Sequence, residues 1–273
     1  MPAEMPIYVT SSDGTRLAVW RDGSGPALVA VHGTTADHTR WIHVAPRLTS
    51  QFTVYLMDRR GRGRSGDAAL YSLEREAEDI RAVVRHAGER VTLLGHSYGG
   101  LCSVEAALEL PELHRLILYE PPLPLGSLIL PHAVREVLER LVKGGDREGA
   151  LLYFFREVVG VPEAELDSLK AHPVWPARIA AAHTIVRESD EEERYGVELS
   201  RLRALSVPTL LLLGSKSPAA FAEATARFDA AIPNSHVREL VGQRHIAMDT
   251  APEEFVDAIV SFALGDGESI PTA

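Results

Sequence analysis

Residues 91–100 read VTLLGHSYGG, and this stretch decides the fold. Its first four residues are typical of a buried strand, and a helical pattern follows the glycines. A serine on a sharp turn between a strand and a helix needs small neighbours two residues to either side, because the two backbones nearly touch there. Gly95 and Gly99 meet that need. We therefore predict that Ser97 is a nucleophile held above a sheet; the alternative is a glycine-rich turn with an incidental serine.

Other apolar runs in the chain have the same character as the run before this serine. They occupy residues 27–31, 53–57, 116–119 and 209–213. Runs that are apolar at every position suit strands buried on both faces, as in a parallel sheet. Helical patterns at residues 73–86 and 101–110 lie between them, and a Ser-Ser-Asp-Gly turn joins residues 6–10 and 16–20 into a hairpin. The alternation predicts a doubly wound α/β fold.

The alternation stops between residues 121 and 207. Helical patterns occur there at residues 132–143 and 147–159, without a strand pattern. Because both ends of this segment return to the same sheet, we expect it to form a helical cap rather than an independent domain. The predicted core then comprises residues 1–120 and 208–264, and the polar residues 265–273 are expected to fray.

The composition excludes several classes of protein. The 273 residues are 45% hydrophobic and 24% charged, which is ordinary for a globular chain. A net charge of -10 argues against a nucleic-acid partner. The single cysteine, Cys102, allows no intrachain disulfide and no cysteine-rich zinc cluster, and we expect it to fill core space. The chain shows neither a leader pattern nor an apolar run of ~18 residues, so we expect a cytoplasmic protein without a membrane partner; its oligomeric state is left open.

Four motifs resemble those of the α/β-hydrolase family, in the order of that family. Residues 29–34 (VAVHGT) are similar to its oxyanion loop, residues 57–66 (MDRRGRGRSG) to the turn after its fourth strand, residues 95–99 to its nucleophile elbow, and residues 242–245 (GQRH) to its histidine loop. The resemblance runs from about residue 6 to residue 264 and is nearest to the capped, esterase-like members. It implies a mostly parallel sheet of about eight strands with an inserted helical cap.

The resemblance implies that His245 is the general base. His245 follows the last strand pattern and precedes a helical pattern at residues 252–263, where the fold brings a loop back over the elbow. The chain has 11 histidines, and a lone loop histidine is normally a solvated residue, so the choice of His245 depends on the family. His96, beside the nucleophile, is expected to pack or hydrogen-bond on the other side of the turn.

The oxyanion hole is expected to consist of two backbone N–H groups. They belong to Tyr98, just after the nucleophile, and to Thr34, whose hydroxyl is a further candidate donor. The alternative is that residues 32–34 form only a tight turn after a buried strand. His32 is expected to shape this loop through hydrogen bonds.

The acid of the triad is where the sequence departs from the commonest pattern of the family. The loop after the seventh strand, residues 213–218, contains Ser217 and no carboxylate. A second acid site of the family lies after the sixth strand, where this chain has Glu120. Since the carboxyl ends of parallel strands face the active site, we predict that Glu120 is the acid. The alternatives are that Glu120 braces the first loop of the cap, or that Ser217 orients His245; Asp249 is expected to cap a helix N-terminus.

A basic cluster and an apolar cap bear on the ligand. The arginines at positions 59, 60, 62 and 64 invite a phosphate-binding interpretation, but the family turn accounts for them and the chain has no Gly-Lys-Ser/Thr P-loop. An apolar cap favours an apolar acyl or alcohol group, although packing of the cap helices explains its residues equally well. The pocket candidates are Leu123, Leu125, Leu128, Ile129, Leu151, Leu152, Phe154, Phe155 and Trp175.

The sequence therefore predicts a serine hydrolase that needs no cofactor or metal and cleaves carboxylic esters of small to medium apolar compounds through an acyl-enzyme. Ser97 in place of Asp argues against haloalkane dehalogenase and the usual epoxide hydrolase chemistry. Lactone hydrolysis, carbon–carbon bond cleavage and peroxyacid formation stay open, because the fold does not settle the choice. From another class, the alternative is a ligand-binding protein with a hydrolase pocket and little turnover.

Overall fold

One mixed sheet organises the molecule. The structure is a computed structural model that describes residues 5–124, 130–195 and 199–265. The strands are β1 (Ile7–Thr10), β2 (Arg16–Gly23), β3 (Ala27–Val31), β4 (Thr53–Met57), β5 (Thr92–His96), β6 (Arg115–Tyr119), β7 (Thr209–Gly214) and β8 (Ser235–Leu240). Their spatial order is β1-β2-β4-β3-β5-β6-β7-β8, and all pairs are parallel except β1 with β2 and β2 with β4. The predicted α/β-hydrolase fold is confirmed.

Helices cover both faces of this sheet. They are α1 (Ala45–Leu48), α2 (Leu73–Ala87), α3 (Tyr98–Ala107), α4 (His132–Lys143), α5 (Arg147–Phe154), α6 (Glu163–Lys170), α7 (Trp175–Ala181), α8 (Ile185–Arg194), α9 (Ala219–Ala231), α10 (Ala247–Thr250) and α11 (Pro252–Leu264). On one face, α2, α3 and α9 bury residues such as Val83, Leu101 and Phe228. On the other, α1 and α11 bury Leu48 and Phe255. Each such side chain stabilises the fold by about 1.5–3 kcal/mol, which explains why the strands are apolar on both faces.

The order of the strands places the site. From β3 the chain continues to β4 on one side and then returns to β5 on the other, so β3 and β5 are adjacent parallel strands with diverging connections. Loops that leave the carboxyl ends of two such strands separate and open a crevice between them. The loop after β3 and the turn at Ser97 both begin there.

Two helix boundaries differ from the sequence pattern. The helix α3 begins at Tyr98, directly after Ser97, and not at residue 101, because glycines that the pattern assigns to the turn form the first helical turn. The helical pattern at residues 147–159 divides into α5 and a π-helical turn at Phe155–Val159. The first difference matters for the site, since it brings the free N–H groups of α3 next to Ser97.

Residues 130–195, between β6 and β7, form α4 to α8 and are called the cap segment below. In this described part of the insertion no strand is present. The segment has an apolar cluster of its own, in which Leu151, Phe154, Phe155 and Trp175 are buried and Leu152 packs at the edge, whereas Leu123 packs with the sheet. The candidates Leu125, Leu128 and Ile129, and tail residues 266–273, lie outside the described residues. The division into core and cap stays a prediction.

Three of the four arginines of the basic cluster are turned inward, and the fourth, Arg64, is exposed. Arg59, Arg60 and Arg62 are buried. Arg60 forms two hydrogen bonds of 2.7 Å to the Asp79 carboxylate and a third, of 3.0 Å, to Asp13. Arg59, Arg60 and Arg62 are thus occupied by the protein's own acids.

A buried ionic network joins the cap segment to the sheet. Arg59 forms hydrogen bonds of 2.7 and 3.1 Å to Glu76 on α2, and its Nη2 lies 3.2 Å from Glu188 on α8. Arg62 contacts the same two acids. All four side chains are at most 1% exposed. Because a buried charge is costly unless it is paired, this network holds α8 against α2.

Replacing Glu76 with alanine is expected to lower the free energy of unfolding by about 3–5 kcal/mol, because Arg59 and Arg62 lose a buried counter-charge. Burial alone would raise the pKa of Glu76, but the two arginines outweigh it and hold the pKa at about 2. The stabilisation by Glu76 is therefore present above its ordinary pKa of 4.5 and is lost as the pH falls toward 2. Urea unfolding at pH 7 and at pH 3 measures both effects. Glu74→Ala, at an exposed position of the same helix, is the control; equal losses for the two variants would contradict the prediction.

Candidate active site

Ser97 lies on a sharp turn between β5 and α3. Its backbone has φ 54° and ψ −130°, a conformation that residues other than glycine rarely adopt. Strained residues of this kind cluster at functional sites. A Cβ at Gly95 would lie 2.6 Å from the Cα of Gly100, and a Cβ at Gly99 would lie 2.3 Å from the carbonyl oxygen of His32. Neither position accepts a side chain, so the two glycines are what allows this turn.

The imidazole of His245 meets a carboxylate from the neighbouring strand. The Nδ1 of His245 lies 2.5 Å from Oε2 of Glu120, which is the residue directly after β6 and is fully buried. With Nδ1 donating to the carboxylate, Nε2 is the nitrogen left to act as a base. The structure thus brings together the two residues that the sequence singles out as base and acid, and their catalytic roles stay a prediction.

The second oxygen of Glu120 is also fully engaged. Oε1 accepts hydrogen bonds from the backbone N–H of Gly214, at 2.7 Å, and from the hydroxyl of Ser217, at 2.6 Å. Ser217 therefore contacts the carboxylate, and no hydrogen bond joins it to His245 among the described residues. The loop after β7 carries no acid of its own, but it orients the acid supplied by β6, which sequence reasoning did not anticipate.

Aromatic side chains fix the plane of the His245 ring. Phe221 on α9 stacks on it with ring centroids 4.3 Å apart and an angle of 16° between the planes. On another side, Nε2 of His96 lies 2.9 Å from the His245 carbonyl oxygen, and the Tyr119 hydroxyl donates to the carbonyl of Arg244. Burial, followed by the nearby His245, lowers the pKa of His96 well below its usual value, so His96 is neutral and donates this hydrogen bond. Of the contacts made by Phe221, His96 and Tyr119, only that of His96 could be anticipated from the sequence, because His96 is adjacent to Ser97.

The loop after β3 runs alongside the nucleophile. A Cβ at Gly33 would lie 2.9 Å from the Cβ of Ser97, so only glycine allows this approach. His32 is buried, with Nδ1 2.9 Å from the Gly33 carbonyl oxygen and Nε2 accepting from the backbone N–H of Arg59 at 3.1 Å. Its hydrogen bonds brace the loop, as expected from the sequence, and burial and the adjacent arginines lower its pKa, so it is neutral. The next residue, Thr34, is half-buried.

Tyr98 opens α3 on the other side of Ser97. Its side chain is fully buried, with the Arg59 guanidinium 4.8 Å from the ring centroid and the Tyr71 hydroxyl 3.3 Å from its own. The buried ring anchors the first turn of the helix, where backbone N–H groups have no partner within the helix. The N–H groups of Tyr98 and Thr34 thus belong to the two segments that flank Ser97, and their role as an oxyanion hole stays a prediction.

Asp249 does not have the role that the sequence assigns to it. It lies inside the single turn of α10, whose N-terminal position is taken by Ile246 without a side-chain cap. Its Oδ2 instead lies 2.7 Å from Nη1 of Arg40, which is only 2% exposed. The prediction of an N-terminal cap was wrong. Asp249 instead supplies the counter-charge of the buried Arg40, and leaving that charge unpaired would cost more than leaving a one-turn helix without a cap.

Two groups among the described side chains have the residue types and spacing to hold a metal ion. One comprises His43, His172 and Asp249, and the other Asp37, His38 and Asp58; within each, one candidate ligand atom per residue lies within 4.8 Å of the others. Neither group includes Ser97, Glu120 or His245. Cys102 is buried in α3, and burial raises the pKa of its thiol, which suits a packing role. Within the described residues, no helix is both long and apolar enough to cross a membrane.

Comparison with known proteins gives the geometry a family context. The chain matches the Alpha/beta hydrolase family over residues 28–258. A solved alpha/beta hydrolase from Sphaerobacter thermophilus is 34% identical, covers 94% of this chain and 99% of its own, and superposes with a TM-score of 0.82. The pimeloyl-[acyl-carrier protein] methyl ester esterase of Edwardsiella ictaluri is 27% identical over 89% of this chain and 94% of its own. The esterase RhEst1 of Rhodococcus has the same fold, with a TM-score of 0.73 at 21% identity over 96% of this chain and 99% of its own.

Proposed function

Because the chain belongs to the Alpha/beta hydrolase family, we propose that it is a serine hydrolase that cleaves carboxylic esters of small to medium apolar compounds without a cofactor. The single observation that carries this proposal is the 2.5 Å contact between His245 and the buried Glu120, on the same edge of the sheet as the turn at Ser97. The similarity to a methyl ester esterase at 27% identity points the same way.

The arrangement supports a two-step reaction at the substrate carbonyl. The Ser97 hydroxyl attacks the carbonyl carbon while Nε2 of His245 accepts its proton, and Glu120 stabilises the imidazolium that forms. The N–H groups of Tyr98 and Thr34 stabilise the oxyanion of the tetrahedral intermediate. His245 then protonates the leaving alcohol, and water, activated by the same histidine, hydrolyses the acyl-enzyme to the acid.

The contact at Glu120 also bears on the alternatives. The alternative of a ligand-binding protein with little turnover depends on the missing acid after β7, but Glu120, directly after β6, places its carboxylate beside His245. Lactone hydrolysis, carbon–carbon bond cleavage and peroxyacid formation would use the same three side chains, so activity against substrates must separate them.

A fluorophosphonate probe and a panel of substrates test the proposal together. We expect the probe to label Ser97, because only an activated hydroxyl reacts, and we expect 4-nitrophenyl esters of short and medium acyl chains to be hydrolysed at rates that prolonged treatment with EDTA does not change. Lactones are assayed beside them. An unlabelled, correctly folded protein that hydrolyses none of these compounds would refute the proposal.

A further inference from the structure

Three side chains from distant parts of the sequence meet where the cap segment contacts the rest of the molecule. His43 lies two residues before α1, His172 lies in the turn between α6 and α7, and Asp249 lies in α10. One candidate ligand atom of each residue lies within 4.8 Å of the other two. Imidazole nitrogens and carboxylate oxygens are the ligands that Zn²⁺ and related divalent ions take in proteins. Because only His172 belongs to the cap segment, an ion held by all three would join that segment to the rest of the chain.

The two imidazoles are already spaced for a shared ion. Nε2 of His43 lies 3.0 Å from Nε2 of His172, and the ring planes meet at 82°. Two ligand nitrogens of a tetrahedral zinc ion, each about 2.0–2.1 Å from the metal, lie roughly 3.3 Å apart. Without an ion, the two nitrogens must share a hydrogen, since two facing lone pairs repel each other. A bound ion would replace that hydrogen with only a small displacement of the rings.

Asp249 has a carboxylate oxygen that is not engaged. Its Oδ2 pairs with Arg40, whereas its Oδ1 is buried and has no hydrogen-bond partner among the described residues. A buried carboxylate oxygen without a partner is costly, and a cation coordinated there would remove that cost. This unpartnered oxygen is an observation independent of the histidine pair.

Solvent reaches the three residues, but other contacts limit how tightly they can hold an ion. His43 is exposed, and the other two ligands are half-buried. Arg40 and Arg178 lie close enough to His172 to repel a positive charge there. Coordination through Nε2 would also cost the 3.3 Å hydrogen bond that the Val174 N–H donates to Nδ1 of His172. We therefore expect an ion that exchanges with the solution, held more weakly than the ion of a structural zinc site.

We propose that His43, His172 and Asp249 bind one Zn²⁺ ion, and that the bound ion fastens the cap segment to α10 and to the segment between β3 and α1. Zn²⁺ is favoured because it accepts mixed nitrogen and oxygen ligands, whereas Mg²⁺ requires an octahedral shell of oxygens. The three ligands do not include Ser97 or its proposed partners, so the ion takes no part in ester hydrolysis and the inference does not depend on that function.

Calorimetric titration of ZnCl₂ into protein stripped with EDTA tests the site. We expect the wild type to bind one Zn²⁺ per chain at this site and to bind no Mg²⁺. His43→Ala and His172→Ala should each weaken Zn²⁺ binding by at least about 30-fold, because each removes one of three ligands. His132→Ala on α4 and His86→Ala on α2, at exposed histidines, should leave the affinity unchanged.

Two calorimetric results would overturn the inference. One is the absence of measurable Zn²⁺ binding to the wild type, and the other is wild-type affinity in His43→Ala or His172→Ala. If His172→Ala does not fold, His43→Gln decides, because it keeps a polar side chain at an exposed position but supplies no imidazole.

Hydrogen–deuterium exchange and thermal unfolding test the fastening. With free Zn²⁺ at 100 times its Kd, the melting temperature of the wild type should rise by about 5 °C. Zn²⁺ should also slow exchange of the amides at residues 171–175 in the wild type and not in His43→Ala. Zn²⁺ that binds without slowing these amides would overturn the fastening of the cap segment. Neither measurement requires turnover, so a failure here is distinct from a failure of the proposed function.

Discussion

Ser97→Ala is expected to lower kcat for a neutral 4-nitrophenyl ester by a factor on the order of 10⁶, the cost of removing the nucleophile from a serine triad in the reference system. The fold should persist, since alanine is smaller than serine and the turn depends on Gly95 and Gly99. Initial-rate assays measure the loss of kcat, and the melting temperature shows whether the variant is folded. Ser103→Ala, which removes a hydroxyl that donates to the Gly99 carbonyl on the same helix, should still react with the probe. Activity above a few per cent in Ser97→Ala would mean that another residue attacks the carbonyl.

His245→Ala belongs to the same prediction, because the nucleophile and its base act as one unit. We expect a loss nearly as large as for Ser97→Ala, and the double variant should be no slower than either single variant. Wild-type rates in His245→Ala would show that the base lies elsewhere. His114→Ala, at a surface histidine, is the control.

Glu120→Gln is expected to lower kcat by roughly 10²- to 10⁴-fold, with the upper limit set by the Asp→Asn replacement in another triad. The amide keeps the size of the side chain but removes the charge that stabilises the imidazolium, and it can favour the wrong tautomer of His245. The melting temperature should change much less than the rate, because Gln can still accept hydrogen bonds from Gly214 and Ser217. Near-normal activity would end the assignment of Glu120.

Two further variants separate Glu120 from the other candidates for the acid. Ser217→Ala removes one of two hydrogen bonds to Oε1 but leaves the carboxylate on His245, so we expect a much smaller loss than for Glu120→Gln. Asp249→Asn weakens the ion pair with Arg40, and its main effect should be on stability. If either variant lowered kcat more than Glu120→Gln does, Glu120 would not be the acid of the triad.

Local geometry explains what the sequence could predict. The turn at Ser97 requires glycine at positions 95 and 99 for steric reasons. It could therefore be predicted from the ten consecutive residues 91–100. The position of Glu120 follows from a general property of parallel strands, whose carboxyl ends share one edge of the sheet. A strand that is apolar at every position signals burial on both faces, and this was enough for the fold class.

Contacts between distant segments explain what it could not predict. The support of Glu120 by Ser217, the pairing of Asp249 with Arg40 and the stacking of Phe221 on His245 each join segments separated by many residues. Neither the hydrophobic periodicity of one segment nor a motif in it identifies the residue that it contacts in a distant segment. The early start of α3 was missed for a different reason, since glycine has a low helix propensity and tertiary packing overrode it.

The network of Arg59, Arg62, Glu76 and Glu188 makes α8 and α2 open together or not at all. Separating α8 from α2 would break the contacts of Glu188 with Arg59 and Arg62, at a cost of about 3–5 kcal/mol. Fewer than about one molecule in a hundred would be open in that way at any moment. The amides of α8 and α2 should therefore exchange with deuterium at matching free energies, as parts of one cooperative unit.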